Sequence, residues 1–180
     1  MLKVLIADNA GFCFGVENAI NVARRYAADE NCFLLGDIIH NGAVVDDLLS
    51  RGVKRINGVN ELPQLSDGES GKVIIRSHGA DKATYDAVSK KGYEIIDATC
   101  PFVVKIHDIV RKHYESGYHI VIIGGARHPE VIATNGWCDN TATVIDTDSD
   151  LDCLKSYDKL CFVCQTTYDG KKFEDLSKKI

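Results

Sequence analysis

Five side chains able to hold a metal or an anion fall in turns marked by glycine or proline. Cys13 lies in Gly11-Phe12-Cys13-Phe14-Gly15 and Cys100 in Asp97-Ala98-Thr99-Cys100-Pro101. His40 lies in Ile39-His40-Asn41-Gly42, His78 in Arg76-Ser77-His78-Gly79-Ala80, and His128 in Ala126-Arg127-His128-Pro129-Glu130. Each follows a short apolar run that reads as a strand. Soft thiolates and imidazoles at strand ends suit a metal or cluster site with an anion pocket beside it.

Each residue also has a plainer reading. A free cysteine is often simply buried, but Cys13 and Cys100 stand in turns, where a sulfur can face a cleft. The glycines around Cys13 allow close backbone approach. Pro101 fits the first turn of a helix, placing Cys100 at that helix's N-terminus, where a thiolate is stabilised. Any one of the three histidines alone would pass for a surface loop residue; together, with small or polar neighbours, they suit a phosphate pocket or a metal. Glu130, two residues after His128, either favours a helix start or donates a proton in the same cleft. Thr166 and Thr167, at the end of another apolar run, are ordinary β-region residues or carry hydroxyl groups to a substrate. Cys161 and Cys164 form a CxxC, but within a strand pattern, where positions three apart face opposite ways. Cys32 reads as core, Cys138 and Cys153 as incidental, and His107, His113 and His119 as structural or exposed. No phosphate-cradling P-loop and no dinucleotide fingerprint is present.

The elements that would carry these turns alternate. Apolar runs at 2–7, 32–35, 72–76, 93–96, 118–123, 142–145 and 160–163 read as strands. Helical periodicity covers 16–28, 44–49, 82–91, 102–116 and 171–179, with Asp81 as an N-cap and Gly92 as a stop. Strands separated by helices imply βαβ units and parallel sheets. Ligands of such sheets bind beyond the carboxyl ends of the strands. The chain is expected to divide near Cys100-Pro101, and the polar, turn-rich stretch 57–71 to be a surface excursion.

With 180 residues, 45% hydrophobic and 26% charged, the composition is that of a globular protein. A net charge of -5 argues against a nucleic-acid partner. No apolar stretch is long enough to span a membrane and no signal-peptide pattern opens the chain. Seven cysteines without a secretory signal point to a reducing cytoplasm.

Six segments, taken in order, resemble one family: Gly11-Phe-Cys-Phe-Gly-Val16, Ile39-His-Asn41, Ser77-His-Gly79, Asp97-Ala-Thr-Cys-Pro101, His128-Pro-Glu130 and Gln165-Thr-Thr167. They are similar to the 4-hydroxy-3-methylbut-2-enyl diphosphate reductases of the LytB/IspH family, which act last in the non-mevalonate isoprenoid pathway. The resemblance runs over essentially the whole chain. It implies a [4Fe-4S] cluster on three cysteines, with Cys13 and Cys100 as two of them. It implies that His40, His78 and His128 hold the substrate diphosphate, joined by Thr166 and Thr167, and that Glu130 delivers protons with Thr166 as relay. An allylic diphosphate would be reductively dehydroxylated to isopentenyl and dimethylallyl diphosphate, with electrons from a donor such as ferredoxin or flavodoxin.

The implied fold is α/β, with small parallel-sheet modules around the central cluster. Residues 1–13 would hold a first strand pairing in a third module, 14–100 the first module and 101–180 the second. The third cysteine and a Ser-x-Asn segment of the family do not occur after Gln165-Thr166-Thr167, so two of the three modules are expected here. The residues by themselves leave open a non-catalytic zinc or redox-sensing α/β domain on Cys13, Cys100 and the histidines, or a metal-free phosphosugar-binding module.

Overall fold

The computed structural model describes residues 3–5, 7, 10–146 and 148–179. Two parallel sheets carry the fold. The first contains β1 (Cys32–Leu35), β2 (Lys54–Ile56), β3 (Lys72–Ile75) and β4 (Glu94–Asp97), in the order β2-β1-β3-β4. The second contains β5 (His119–Ile123), β6 (Thr143–Ile145) and β7 (Leu160–Cys164), in the order β6-β5-β7. Helices α1 (Phe14–Arg25), α2 (Gly42–Ser50) and α3 (Lys82–Lys90) belong to the first sheet. Helices α4 (Pro101–Glu115), α5 (Pro129–Asn135) and α6 (Gly170–Ser177) belong to the second.

Both sheets are covered on both faces, which is why the inner strands β1, β3 and β5 read as nearly unbroken apolar runs. Successive side chains of a strand point to opposite faces. In β3, Ile74 therefore packs with α1 and α2 through Ile20, Ala23 and Leu48. Its neighbours Val73 and Ile75 pack with Val88 of α3 and Tyr93. In β5, Ile120 and Ile122 meet Val110 of α4 and Val131 of α5, while Val121 and Ile123 meet Leu154 and Leu176.

The alternation explains the CxxC. Cys161 is buried in the first of those two clusters and Cys164 packs against the second, on the other face. Cys32 is core, as its strand position suggests, but Cys138 is not incidental: it is fully buried, and its thiol donates to the Asn135 carbonyl at 3.2 Å.

Residues 3–5 and 7, the described part of the apolar run at the start, are in no strand here, and Val4 and Leu5 are exposed; the partner expected for this run belongs to a third module, which the two sheets do not include. Leu2 and Ile6 lie outside the described residues. The stretch 57–71 is tied down more than a surface excursion would be. It contains a 3-10 turn (Val59–Glu61) and buries Leu62, and its Pro63 carbonyl accepts from the Tyr93 hydroxyl at 3.0 Å.

The two sheets meet along a polar seam. The Trp137 indole donates to the Ala80 carbonyl at 3.0 Å, across the gap between them. The buried His107 ring stacks on Trp137 with centroids 5.4 Å apart. Gly136 has no room for a side chain: a Cβ there would sit 2.1 Å from the Cβ of Asp81.

Candidate active site

In a parallel α/β sheet the carboxyl ends of the strands and the N-termini of the following helices share one edge, and the site is assembled there. Cys13 is the N-cap of α1, Cys100 of α4 and His128 of α5, and His40 precedes Asn41, which caps α2. In the first sheet β1 leads to β2 on one side and β3 to β4 on the other, so the crevice between β1 and β3 is a switch point where ligands bind. His40 and His78 come from the loops at that crevice. In the second sheet the corresponding crevice lies between β5 and β7, and His128, Glu130 and Thr166 come from its loops.

The three histidines converge. Ring centroids are 4.6 Å apart for His40 and His78, 5.4 Å for His78 and His128, and 5.8 Å for His40 and His128. One nitrogen of each ring lies within 4.8 Å of one nitrogen of the others. Burial, with the neighbouring His40, Arg76 and His128, pushes the pKa of His78 down to about 4, and its buried Nδ1 has no hydrogen-bond partner. Burial also lowers His128, against the pull of Glu130. Both rings are thus neutral near pH 7.

Whether such a trio suits a cation or an anion turns on the proton of His128. Its Nδ1 accepts from the Glu130 amide at 3.2 Å, so that nitrogen carries the lone pair and Nε2 carries the hydrogen. An Nε2–H donates to an anion. A metal on Nε2 would require the proton on Nδ1, facing another N–H.

Glu130 is 2% exposed, and its carboxylate is held by one residue of the neighbouring loop. The Thr166 amide donates to one oxygen at 2.6 Å and the Thr166 hydroxyl to the other at 2.7 Å. Thr166 itself is exposed, so its hydroxyl stands between a buried acid and the open face. Thr167 is exposed too, and its hydroxyl accepts from Gln165 Nε2 at 2.8 Å.

The two cysteines come together through Gly15. A Cβ on Gly15 would lie 2.7 Å from Cys100 Sγ, so the turn after Cys13 rests directly on the second sulfur. Phe14 and Phe102, each next to a helix start, pack edge to face at 5.7 Å beside them. Cys13 is exposed and Cys100 half-buried, and neither is in a disulfide. Two free, soft sulfur donors on adjacent turns fit the ligand chemistry of an iron–sulfur cluster.

Three positions without a role in the sequence reading shape the site. Ser77 links its parts: its hydroxyl donates to the Ile38 carbonyl at 3.0 Å, and its carbonyl accepts from the Cys100 amide at 3.0 Å. Arg76 stands behind the histidines. His107 supports the seam, and its place was signalled by the helical stripe Val103, His107 and Val110, all three buried. Nothing in the sequence marked Ser77 beyond its proximity to His78.

Comparison with known proteins gives the family. The family model described as "LytB protein" matches residues 4–180. The chain belongs to the LytB family. It is 44% identical over 182 residues to the 4-hydroxy-3-methylbut-2-enyl diphosphate reductase of Alkaliphilus oremlandii, covering 99% of this chain and 63% of that protein. It is 46% identical over 182 residues to the enzyme of the same name from a Thermoanaerobacter species, covering 99% and 62%. The fold resembles the solved structure of an (E)-4-hydroxy-3-methyl-but-2-enyl diphosphate reductase, called there the terminal enzyme of the non-mevalonate pathway (TM-score 0.78, 34% identity, 99% of this chain and 63% of that one). A reductase structure from Plasmodium falciparum aligns with a TM-score of 0.85 at 28% identity, over 96% of this chain and 54% of that one. The chain thus spans a little under two thirds of the length of these curated relatives. Among the described residues no helix is long and apolar enough to cross a membrane.

Proposed function

We propose that this chain carries the diphosphate-binding and proton-delivering part of a 4-hydroxy-3-methylbut-2-enyl diphosphate reductase. The observation that carries the reading is the pairing of an anion-donor histidine trio with a buried acid on the same helix start. His128 caps α5 with Nδ1 and keeps Nε2–H free to donate, while Glu130, two residues on, reaches Thr166.

His40, His78 and His128 take the diphosphate; the neutral His78 and His128 rings each donate one hydrogen bond and gain charge as the anion draws protons to them. Holding the diphosphate fixes where the allylic hydroxyl lies. At rest the Thr166 hydroxyl donates to Glu130. A protonated Glu130 reverses that bond, and the Thr166 proton then turns outward to the leaving oxygen. Thr167, on the same loop, is placed to add a contact to the substrate.

Cys13 and Cys100 would hold a [4Fe-4S] cluster. When bound, that cluster supplies electrons and Lewis acidity. In balance, the allylic C–O bond breaks, two electrons enter from a ferredoxin- or flavodoxin-like donor, one proton leaves with the oxygen as water, and a second joins one end of the allylic fragment. The products are isopentenyl and dimethylallyl diphosphate.

The test separates the roles. In the full-length reductase, after anaerobic reconstitution, Cys13→Ser and Cys100→Ser should lose most of their iron, while Cys161→Ser and His78→Phe keep it. His78→Phe should lose pyrophosphate affinity. Equal iron in Cys13→Ser and Cys161→Ser, or iron loss in His78→Phe, overturns the assignment.

A further inference from the structure

A cavity of about 220 Å³ opens on the far side of the histidine loops, and none of the three histidines lines it. Its walls come from the ends of β1 and β3, the turn after β2, the start of α3 and one side of α5. Most of that wall is apolar: Leu35, Val59, Ile75, Ala80, Ile132 and Ala133. Its one cation is Arg76.

Arg76 is an unusual arginine. It is half-buried, burial lowers its pKa, and among the described residues it makes no ion pair or hydrogen bond through its guanidinium. The acid that acts on it from a distance, Asp37, is bound instead to Arg55 at 2.8 Å. The guanidinium lies over Gly36, where a Cβ would come within 2.9 Å of Nη1, and Gly36 has φ +73°, in the left-handed region that favours glycine. Asp81, the acid in the cavity wall, is spent as the N-cap of α3 and accepts from Thr84 N at 2.8 Å. The neighbouring amides are also committed: Gly36 N–H donates to the Ile56 carbonyl and Gly79 N–H to the Arg76 carbonyl. A half-buried guanidinium with no protein acceptor is a set of donors that an anion can complete.

We propose that this cavity is a second ligand site, for a small anion with a short hydrocarbon tail, its phosphate or carboxylate head on Arg76 and its tail against Leu35, Val59, Ile75 and Ile132. The size limits the tail to a handful of carbons, and the single cation favours one head group over a diphosphate. Because the Arg76 charge also reaches His78 and His128, pairing it with an anion changes the field behind the diphosphate pocket.

The probes are 3-methylbutyl phosphate and methyl phosphate, titrated into the protein and followed by amide NMR shifts. To silence the histidine pocket, the titration is run in His78→Phe. The amides of Gly36, Gly58 and Gly79 report on the cavity. We expect 3-methylbutyl phosphate to shift all three and to bind at least about tenfold more tightly than methyl phosphate, because several buried methylene-sized groups are worth that much. Adding Arg76→Met should abolish the shifts, while Arg76→Lys should keep part of the affinity. Isovalerate in place of the phosphate decides the preferred head group within the same site. No shift at the three glycines, equal affinity for the two phosphates, or unchanged binding by Arg76→Met would each overturn the proposal.

Discussion

Lowering the pH should tighten anion binding at the histidine trio, and His78 sets the size of the effect. Its pKa is held down to about 4 by burial and by His40, Arg76 and His128, so the free protein presents it as a neutral ring over most of the accessible pH range. An anion seated within the trio adds an opposite charge close to the ring. At roughly 4 Å and an effective dielectric of about 20, one unit of charge contributes about 4 kcal/mol. At about 1.4 kcal/mol per pKa unit, that lifts His78 by about three units, to about 7. Between those two values the complex binds one proton that the free protein does not. Affinity therefore rises by up to about tenfold per pH unit as the pH falls through that window, or about fiftyfold from pH 7 to pH 5. Sulfate is a suitable probe, because its own charge stays constant there. Calorimetry in two buffers of different ionisation enthalpy would show uptake approaching one proton near pH 5.5. The steep slope should be lost in His78→Phe. A pH-independent sulfate affinity with no proton uptake would refute both the neutral state of the ring and its role in anion binding.

Other expectations can be measured directly. His107 is buried with its pKa near 4, so the unfolded chain takes up its proton first as the pH falls below 6.5. Its contribution is intact above that value and is lost on going down to about 4, amounting to about 3 kcal/mol; urea denaturation of His107→Phe should show a correspondingly flatter acid dependence than the parent. Gly15→Ala should lower iron content after reconstitution nearly as far as Cys100→Ser, since the new methyl would displace Cys100 Sγ; full iron content would show that the turn can yield. Gly136→Ala, which collides with Asp81, should destabilise the fold by about 2 kcal/mol in thermal unfolding and weaken pyrophosphate binding. Glu130→Gln in the active reductase should keep the cluster and KM but reduce kcat by about 10²–10⁴; near-normal turnover would assign proton delivery elsewhere.

The sequence disclosed the parts of this fold whose physics is local. A strand buried on both faces must be apolar throughout, so Lys72–Ile75 and His119–Ile123 stood out. A helix with a polar cap shows itself in the same way, and Asp81 does cap α3. The strand Lys54–Ile56 gave no such signal: it is an edge strand of three residues, Lys54 and Arg55 are exposed, and only Ile56 is buried. The seven-residue α5 is too short for a period to emerge, and its start is fixed by Pro129 and the His128 cap instead. The opening apolar run shows the limit of local signal: composition makes a strand possible, but backbone partners make it one, and the partner expected for residues 3–5 and 7 belongs to a third module that the two sheets do not include. For the site, the residue types and their turns were visible, but their mutual placement was not. The contact between Glu130 and Thr166 spans 36 positions, and the indole bridge from Trp137 to Ala80 spans 57.

What joins these long-range contacts into a single site is that each sheet contributes at its own switch point. The β1/β3 crevice supplies His40 and His78; the β5/β7 crevice supplies His128, Glu130 and Thr166. Neither half holds all three histidines, and Glu130 lies in the half with only one of them. The relative placement of the sheets therefore sets both the spacing of the three histidines and the distance from them to Glu130; on the proposed reading these are the spacing of the anion donors and the path to the proton source. Contacts that set the placement include the Trp137–Ala80 hydrogen bond, the Tyr85–Trp137 ring contact, the close approach of Gly136 to Asp81, and Gly15 against Cys100. Three of these four lie at the seam, away from the reacting groups. Removing the indole donor alone, as in Trp137→Phe, leaves every candidate ligand and proton donor in place. If the seam sets the geometry, this variant loses pyrophosphate affinity while its iron content stays at the parent level, because Cys13 and Cys100 are joined through Gly15 and not through Trp137. Parallel loss of iron and affinity would instead mean that Trp137→Phe loosens the whole fold, and unchanged affinity would mean that the remaining seam contacts suffice to hold the trio.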